Sequence, residues 1–295
     1  MHTGKRLNAV FESSPELIFD DRSKFIFFSD CHRGDNSWAD DFAHNEHIYY
    51  YALTRYYRMG YTYVEIGDGD ELWENDRFED IRIAHSTVFK LLRRFYNEGR
   101  FVLLYGNHDK ERKSQARVKN TLHRYFDERS GTQVPFLEGI TVHEGIVLRH
   151  ASTGMRIFLV HGHQGDLLGD QLWWLGKLLS RLVWRQLQLM GIHDPTRPAV
   201  NYTKRKRVER RLMRWVRLRR QMVVTGHTHR PRFPEPGAPP FFNDGSCVHP
   251  RSITGLEIVN GKISLVRWHL STRDDGTLRI GRDVLAGPTG LSEYA

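Results

Sequence analysis

Short, nearly unbroken apolar runs alternate with amphipathic stretches through the first half of the chain. Residues 24–29 (KFIFFS), 61–66 and 101–105 are apolar and aromatic, and each stops abruptly at a polar cluster. Runs of that length without polar alternation predict strands buried on both faces. Between them, residues 42–59, closed by Gly60, and residues 78–97 have helical periodicity. Strand, helix and strand in succession predict crossover connections and a mainly parallel sheet. The second half has another rhythm: residues 140–148, 156–160, 222–225, 241–248, 253–259 and 262–270 read as strands, and 231–240 as an irregular Pro-rich connector. Asn260-Gly261 predicts a type I′ hairpin between the last two strands. Two such halves packed face to face predict an α/β chain, a four-layer αββα sandwich of two mixed sheets.

The polar clusters that end the apolar runs are Asp30-Cys31-His32, Gly67-Asp68, Gly106-Asn107-His108-Asp109, His161-Gly162-His163 and Gly226-His227-Thr228-His229. Each alone has an ordinary reading as a turn, a cap or a satisfied histidine. Together they deliver carboxylate, amide and imidazole donors to one sheet edge, a set suited to hard or borderline divalent cations. Asp30 with His32, and His227 with His229, lie two residues apart and are expected to project to the same side of a strand tip. Over roughly residues 24–270 the order and content resemble the calcineurin-like metallophosphoesterase superfamily, with its D-x-H, GD, GN-H-[DE], H-x and G-H-x-H signatures.

That resemblance implies one metal on Asp30, His32 and His229, a second on Asn107, His161 and His227, and Asp68 bridging them. The metals implied are two divalent ions, Mn²⁺ first, with Fe or Zn as alternatives. It further implies in-line attack by a metal-bridging hydroxide on a phosphomonoester or phosphodiester. His108 would protonate the leaving oxygen and Asp109 would orient His108. Arg33, Asn36 and Arg230 adjoin the clusters and are candidate phosphate contacts. Asp70 and Glu71 acquire no role from the resemblance; Asp70 reads first as a solvated turn carboxylate and second as a residue that orients a ligand, and His163 as a neighbour of His161.

Residues 164–221 interrupt the pattern within what otherwise reads as a single domain, 1–295. A Leu/Trp-rich stretch and a loop with Pro195 and Pro198 lead to a basic helix carrying Lys204, Arg205, Lys206, Arg207, Arg210, Arg211, Arg214, Arg217, Arg219 and Arg220 against Glu209. Its apolar face would be Val208, Leu212, Met213, Trp215 and Val216. This predicts a helical cap over the ligand edge. With Gly-His-Thr-His-Arg-Pro after it, the cap resembles that of UDP-2,3-diacylglucosamine pyrophosphohydrolases, in which it holds acyl chains. His108 stands where that subgroup typically carries Arg, which favours small phosphoesters over a nucleotide-lipid pyrophosphate. A nuclease reading, with the basic helix tracking a phosphate backbone, stays open.

Composition adds the setting. The 295 residues are 39% hydrophobic, enough for one large core, and the net charge of +9 points to an anionic partner: a phosphorylated small molecule, nucleic acid or an acidic membrane surface. Two cysteines imply no disulfide framework and suit a reducing compartment. The N-terminal segment lacks a leader's apolar core and no apolar run approaches about 20 residues, so a cytoplasmic location with at most peripheral membrane contact is expected.

Overall fold

The computed structural model describes residues 3–127, 130–166, 170, 174, 177, 178, 180, 181 and 202–294. Helix Thr3–Ser13 (α1) and strand Glu16–Phe19 (β1) precede Phe25–Phe28 (β2), Glu46–Arg58 (α2), Thr62–Ile66 (β3), Phe78–Ala84 (α3), Ser86–Asn97 (α4) and Phe101–Leu104 (β4). A short helix Gln115–Val118 (α5) and the strands Arg124–Asp127 (β5) and Thr132–Pro135 (β6) follow, then Val142–His143 (β7), Gly145–His150 (β8) and Arg156–Val160 (β9). The long helix Tyr202–Arg219 (α6) leads into Met222–Thr225 (β10), Phe241–Asn243 (β11), Ser252–Val259 (β12), Lys262–Thr272 (β13) and Leu278–Gly290 (β14).

Two large mixed sheets form, in the orders β14-β13-β12-β2-β3-β4-β7 and β1-β8-β9-β10-β11, with β5-β6 as a separate hairpin. Strand β2 shows why its apolar run carries no polar alternation. Phe25 and Phe27 enter the core between the sheets with Leu148, Leu159 and Val224, whereas Ile26 and Phe28 enter the core beneath α2 and α4 with Tyr49 and Phe95. A third cluster joins Val147, Phe158 and Val223 of the smaller sheet to Leu7 and Val10 of α1 and to Val208, Leu212, Trp215 and Val216 of α6. The layers are therefore helix, sheet, sheet, helix, as expected.

Sheet membership does not follow the halves of the chain. The larger sheet joins β2, β3, β4 and β7 to β12–β14, and the smaller joins β1 to β8–β11. The run 140–148 is two strands, β7 in the larger sheet and β8 in the smaller, so the chain changes sheet around Glu144. Gly145 permits that crossing, because a Cβ there would lie 2.8 Å from the Phe158 ring and from Ser14 Oγ. The expected strand 241–248 ends at Asn243, where the backbone turns toward the ligand edge. The basic helix, α6, docks through its expected apolar face as the outer layer of the smaller sheet. The Leu/Trp-rich half of the insert lies mostly outside the described residues. The sequence pattern missed α1, β1, the β5-β6 hairpin and β14, whose edge-strand residues are mostly polar or exposed. Asn260 (φ 52°) and Gly261 (φ 65°) take the hairpin conformation expected of them. Among the described residues no helix is long and apolar enough to cross a membrane.

The helix expected over 78–97 breaks at His85, and α2 begins only at Glu46. The break and the late start share a cause. His85 Nε2 lies 2.7 Å from Asp40 Oδ2 and its Nδ1 3.2 Å from Glu46 Oε2, while Asp40 Oδ1 accepts from the backbone N–H groups of Phe42 and Ala43. Burial opposes charge on this imidazole, but Asp40 and Glu46 override it and raise the pKa to about 9. A folded-state value above the unfolded value of about 6.5 stabilises fully below pH 6.5, and the contribution is lost as pH rises through 9. Its size is at most about 3 kcal/mol. Denaturant midpoints at pH 6 and pH 9.5 should differ more for the wild type than for His85→Gln; equal differences would refute the assignment.

Candidate metal centre

Five of the expected ligands hold backbone conformations that side chains other than glycine rarely adopt: Asp30 (φ 49°), His32 (φ 48°), Asp68 (φ 51°), His227 (φ 68°) and His229 (φ 52°). They lie past the carboxyl ends of β2, β3 and β10, so strand pleating does not aim them; left-handed kinks do. The kinks are held by loop-to-loop bonds, with Asp30 N–H donating to Gly67 O (3.1 Å) and His32 N–H to Asp68 O (2.9 Å). Glycine is required where the loops meet. A Cβ on Gly106 would sit 2.1 Å from Asp68 Oδ1, and one on Gly67 would sit 2.8 Å from Gly106 Cα and His161 Nδ1.

Two clusters of donor atoms result: Asp30, His32 and His229, and Asp68, His161 and His227, each with its atoms within 4.8 Å of one another. Within the first, His229 Nε2 lies 3.1 Å from Asp30 Oδ1 and 3.3 Å from His32 Nε2. Asp68 Oδ2 stands between the clusters, 3.0 Å from His161 Nε2 and 4.0 Å from His32 Nε2. The orienting bonds lie behind the rings. His161 Nδ1 donates to Ile66 O (2.8 Å) and His32 Nδ1 meets Glu71 Oε2 (2.8 Å), which turns both Nε2 atoms toward the clusters.

Asn107 Oδ1 and His227 Nε2 are buried with no hydrogen-bond partner among the described residues, and Asp30 Oδ1 and His161 Nε2, also buried, meet only the fellow candidate ligands His229 and Asp68. A buried polar atom without a partner costs about 1–3 kcal/mol, more if charged. Carboxylate oxygen, amide oxygen and imidazole nitrogen lone pairs are donors to a divalent cation, so the residues present fit such a group. Burial, followed by the neighbouring His161, pushes His227 down to about 4, leaving it the neutral imidazole that a metal requires.

His108 stands beside this centre, and Glu71 holds it. Its Nδ1 lies 2.7 Å from Glu71 Oε1, and its ring stacks on Trp73 at 4.1 Å between centroids and 21° between planes. Its backbone N–H donates to Asp68 Oδ1 (2.8 Å). Asp109, expected to orient His108, instead binds the loops together. Its Oδ1 accepts from Gly106 N–H (2.6 Å) and its Oδ2 from Gly69 N–H (3.2 Å). Sequence reasoning missed Glu71 because the turn that folds it back against His32 and His108 has no one-dimensional mark.

Arg33 does not face the open site. It is 1% exposed and donates to Glu65 through both terminal nitrogens (2.7 Å each) and to Asp70 through Nε (2.6 Å). Asp70 is no solvated turn residue, since it is 1% exposed and pairs with Arg33 and Arg112. Asn36 and Arg230 are exposed, Asn36 donating its backbone N–H to Asp40 Oδ2 (2.8 Å). His163 is buried, its Nε2 3.9 Å from Asp170 Oδ1. The described residues of the insert reach the loops that carry Glu71 and His108: Asp170 Oδ1 accepts from Lys110 (2.8 Å), Lys177 pairs with Glu111, and Arg181 donates to Trp73 O (3.2 Å).

The family model for calcineurin-like phosphoesterases matches residues 23–231. Similar solved structures include Chaetomium thermophilum Vps29 (10% identity, TM-score 0.38, covering 90% of this chain and 97% of that one). Another is Entamoeba histolytica Vps29 complexed with Zn²⁺ (16% identity, TM-score 0.33, 88% and 98%). No curated protein sequence matches the chain. Cations at the orphaned donors should stabilise the fold: after chelator treatment and dialysis, Mn²⁺ at 100 times its dissociation constant is expected to add about 2.7 kcal/mol to unfolding. A thermal midpoint indifferent to Mn²⁺, Zn²⁺ and Fe²⁺ would contradict this.

Proposed function

The chain belongs to the calcineurin-like phosphoesterase family, and on that premise we propose that it is a dinuclear metal-dependent hydrolase of phosphomonoesters or phosphodiesters. The observation that supports this most is the convergence of the donor atoms of Asp30, His32 and His229 and of His161 and His227 on Asp68, itself within reach of both sets. In this reading Asp30, His32 and His229 hold one cation, Asn107, His161 and His227 the other, and Asp68 serves both. Such a pair, with Mn²⁺ as the proposed occupant, would neutralise the phosphate oxygens and lower the pKa of a water nucleophile.

The chain's own residues do the rest. With Nδ1 of His108 held by Glu71, Nε2 is the nitrogen left to give a proton to the departing oxygen. Trp73 covers one face of the ring, fixing the plane in which the proton is offered. Glu71 is thus a positioning residue, shared between an expected metal ligand and the acid. Arg230, exposed and next to His229, is the remaining cation placed to meet substrate.

Chelation should abolish hydrolysis of a chromogenic aryl phosphodiester and Mn²⁺ should restore it; turnover that survives chelation would end the proposal. Asp68→Asn is expected to remove activity and weaken metal uptake. His108→Ala should retain the metals yet slow turnover by about 10²- to 10⁴-fold, most for poor leaving groups. Glu71→Gln should reproduce that leaving-group dependence with a loss of about 10- to 100-fold. A leaving-group dependence in Glu71→Gln no steeper than in the wild type would remove Glu71 from this role.

A further inference from the structure

Helix α6 has spent its apolar face on the protein. Val208, Leu212, Trp215 and Val216 are buried against the smaller sheet and α1. What it turns outward is almost wholly cationic: Arg207, Arg210, Arg214 and Arg217 are exposed, and none forms an ion pair or hydrogen bond among the described residues. Other cations of the helix are engaged. Arg211 donates to Gly165 O (2.9 Å), and Arg219 donates to Asn8 Oδ1 (3.1 Å). Glu209 is the helix's only acid, and residues 182–201, outside the described set, bring one acid, Asp194, together with Arg185 and Arg197. A solvated helix face ordinarily mixes signs, because like charges three and four residues apart repel. This face needs its counter-charge from elsewhere.

The row also has a direction. The middle of α6 packs at the metal edge, just before the strand β10 whose carboxyl end leads to His227 and His229: a Cβ on Gly162, next to His161, would lie 3.6 Å from Leu212 Cδ1, and one on Gly165 would lie 3.0 Å from Val208 Cγ1. Lys206 stands over the Tyr202 ring at 4.2 Å at the amino-terminal end of the row. From there the 18 residues of α6 run about 27 Å down the smaller sheet.

We propose that the outward face of α6 is a docking track for single-stranded nucleic acid, leading its phosphodiester backbone to the metal edge. The track's destination rests on the phosphoesterase reading; its ability to bind does not. Arginine rather than lysine makes up the unpaired row, as suits bidentate contact with phosphate oxygens. A row one helix wide follows one backbone, and Tyr202, 52% exposed at the site end, offers a ring for base stacking. A membrane is the poorer fit. A helix lying on lipid sinks an apolar face into it, and α6 shows solvent only one large apolar side chain beyond Tyr202, Leu218, 75% exposed.

The test is binding of a fluorescent 20-mer oligothymidylate, in chelator and in Mn²⁺, across a salt series. The wild-type association constant should fall with a log–log slope of about −3, as expected for four phosphate contacts on a single strand. The triple variant Arg210→Gln, Arg214→Gln, Arg217→Gln should bind at least tenfold more weakly with a slope nearer −1, while aryl phosphodiester turnover and the Mn²⁺ shift in thermal midpoint stay unchanged. Undiminished binding by the variant, or no oligonucleotide binding by the wild type, overturns the track. Co-flotation with phosphatidylserine vesicles but not with oligonucleotide overturns it in favour of a membrane surface. Oligonucleotide binding lost in the variant, from a wild type that hydrolyses no phosphoester, would uphold the track while the phosphoesterase reading fails.

Discussion

How closely three strand ends can approach one another governs everything above them. Asp68 reaches its place between the donor clusters because Gly67 and Gly106 put only hydrogen where a Cβ would collide with the neighbouring loop. The left-handed backbone of Asp30, His32 and Asp68 then follows, since the bonds from Asp30 N–H to Gly67 O and from His32 N–H to Asp68 O lock each kink against the next loop. Strain of this kind costs of order 1–3 kcal/mol per residue and persists only where the surroundings over-determine it.

Those surroundings are a buried charge network beneath the loops. Arg33 and Arg112 face Glu65, Asp70 and Asp109, all of them buried. Two cations cannot fully compensate three carboxylates, and burial resolves the excess by pushing Asp109 up to about 7, so that it is partly neutral near neutrality. Tyr63 adds a hydroxyl donor to Glu65 (2.7 Å), and Tyr49 donates to Tyr63 in turn (2.8 Å). Such a network contributes little net stability relative to an apolar core. What it does contribute is orientation, because Asp70, Arg33 and Asp109 each tie one ligand loop to another.

Glu71 continues that logic at the site itself. One carboxylate oxygen meets His32 and the other His108, so one side chain sets both an expected metal ligand and the proposed proton donor. The insert is tied to the same place. Lys177 pairs with Glu111, and Arg181 reaches the carbonyls of Leu72 (3.4 Å) and Trp73, so the described part of the insert is bonded to the loops that carry Glu71 and His108. On the far side of the smaller sheet, α6 serves as a structural layer with its inner face and leaves its cations to the solvent.

Much of this was legible in one dimension. Unbroken apolar runs give doubly buried strands, Asn260-Gly261 gives its hairpin, and Asp, Asn and His at the strand ends give a donor set, because these depend on local periodicity and residue chemistry alone. Sheet membership could not be read that way: the same apolar pattern serves either sheet, and the switch near Glu144 is set by which neighbour each strand meets. The partners of His108 and Arg33 were hidden for a related reason. A carboxylate's role depends on which cation or imidazole folding brings within 3 Å, and Glu71, Asp70 and Asp109, adjacent or nearly so to the motifs, differ in role only through the direction in which their turns fold. Sequence by itself determined the layers and the chemistry available; tertiary structure decided the pairing of buried charges, since compensation in a low-dielectric interior is a property of distance and not of order along the chain.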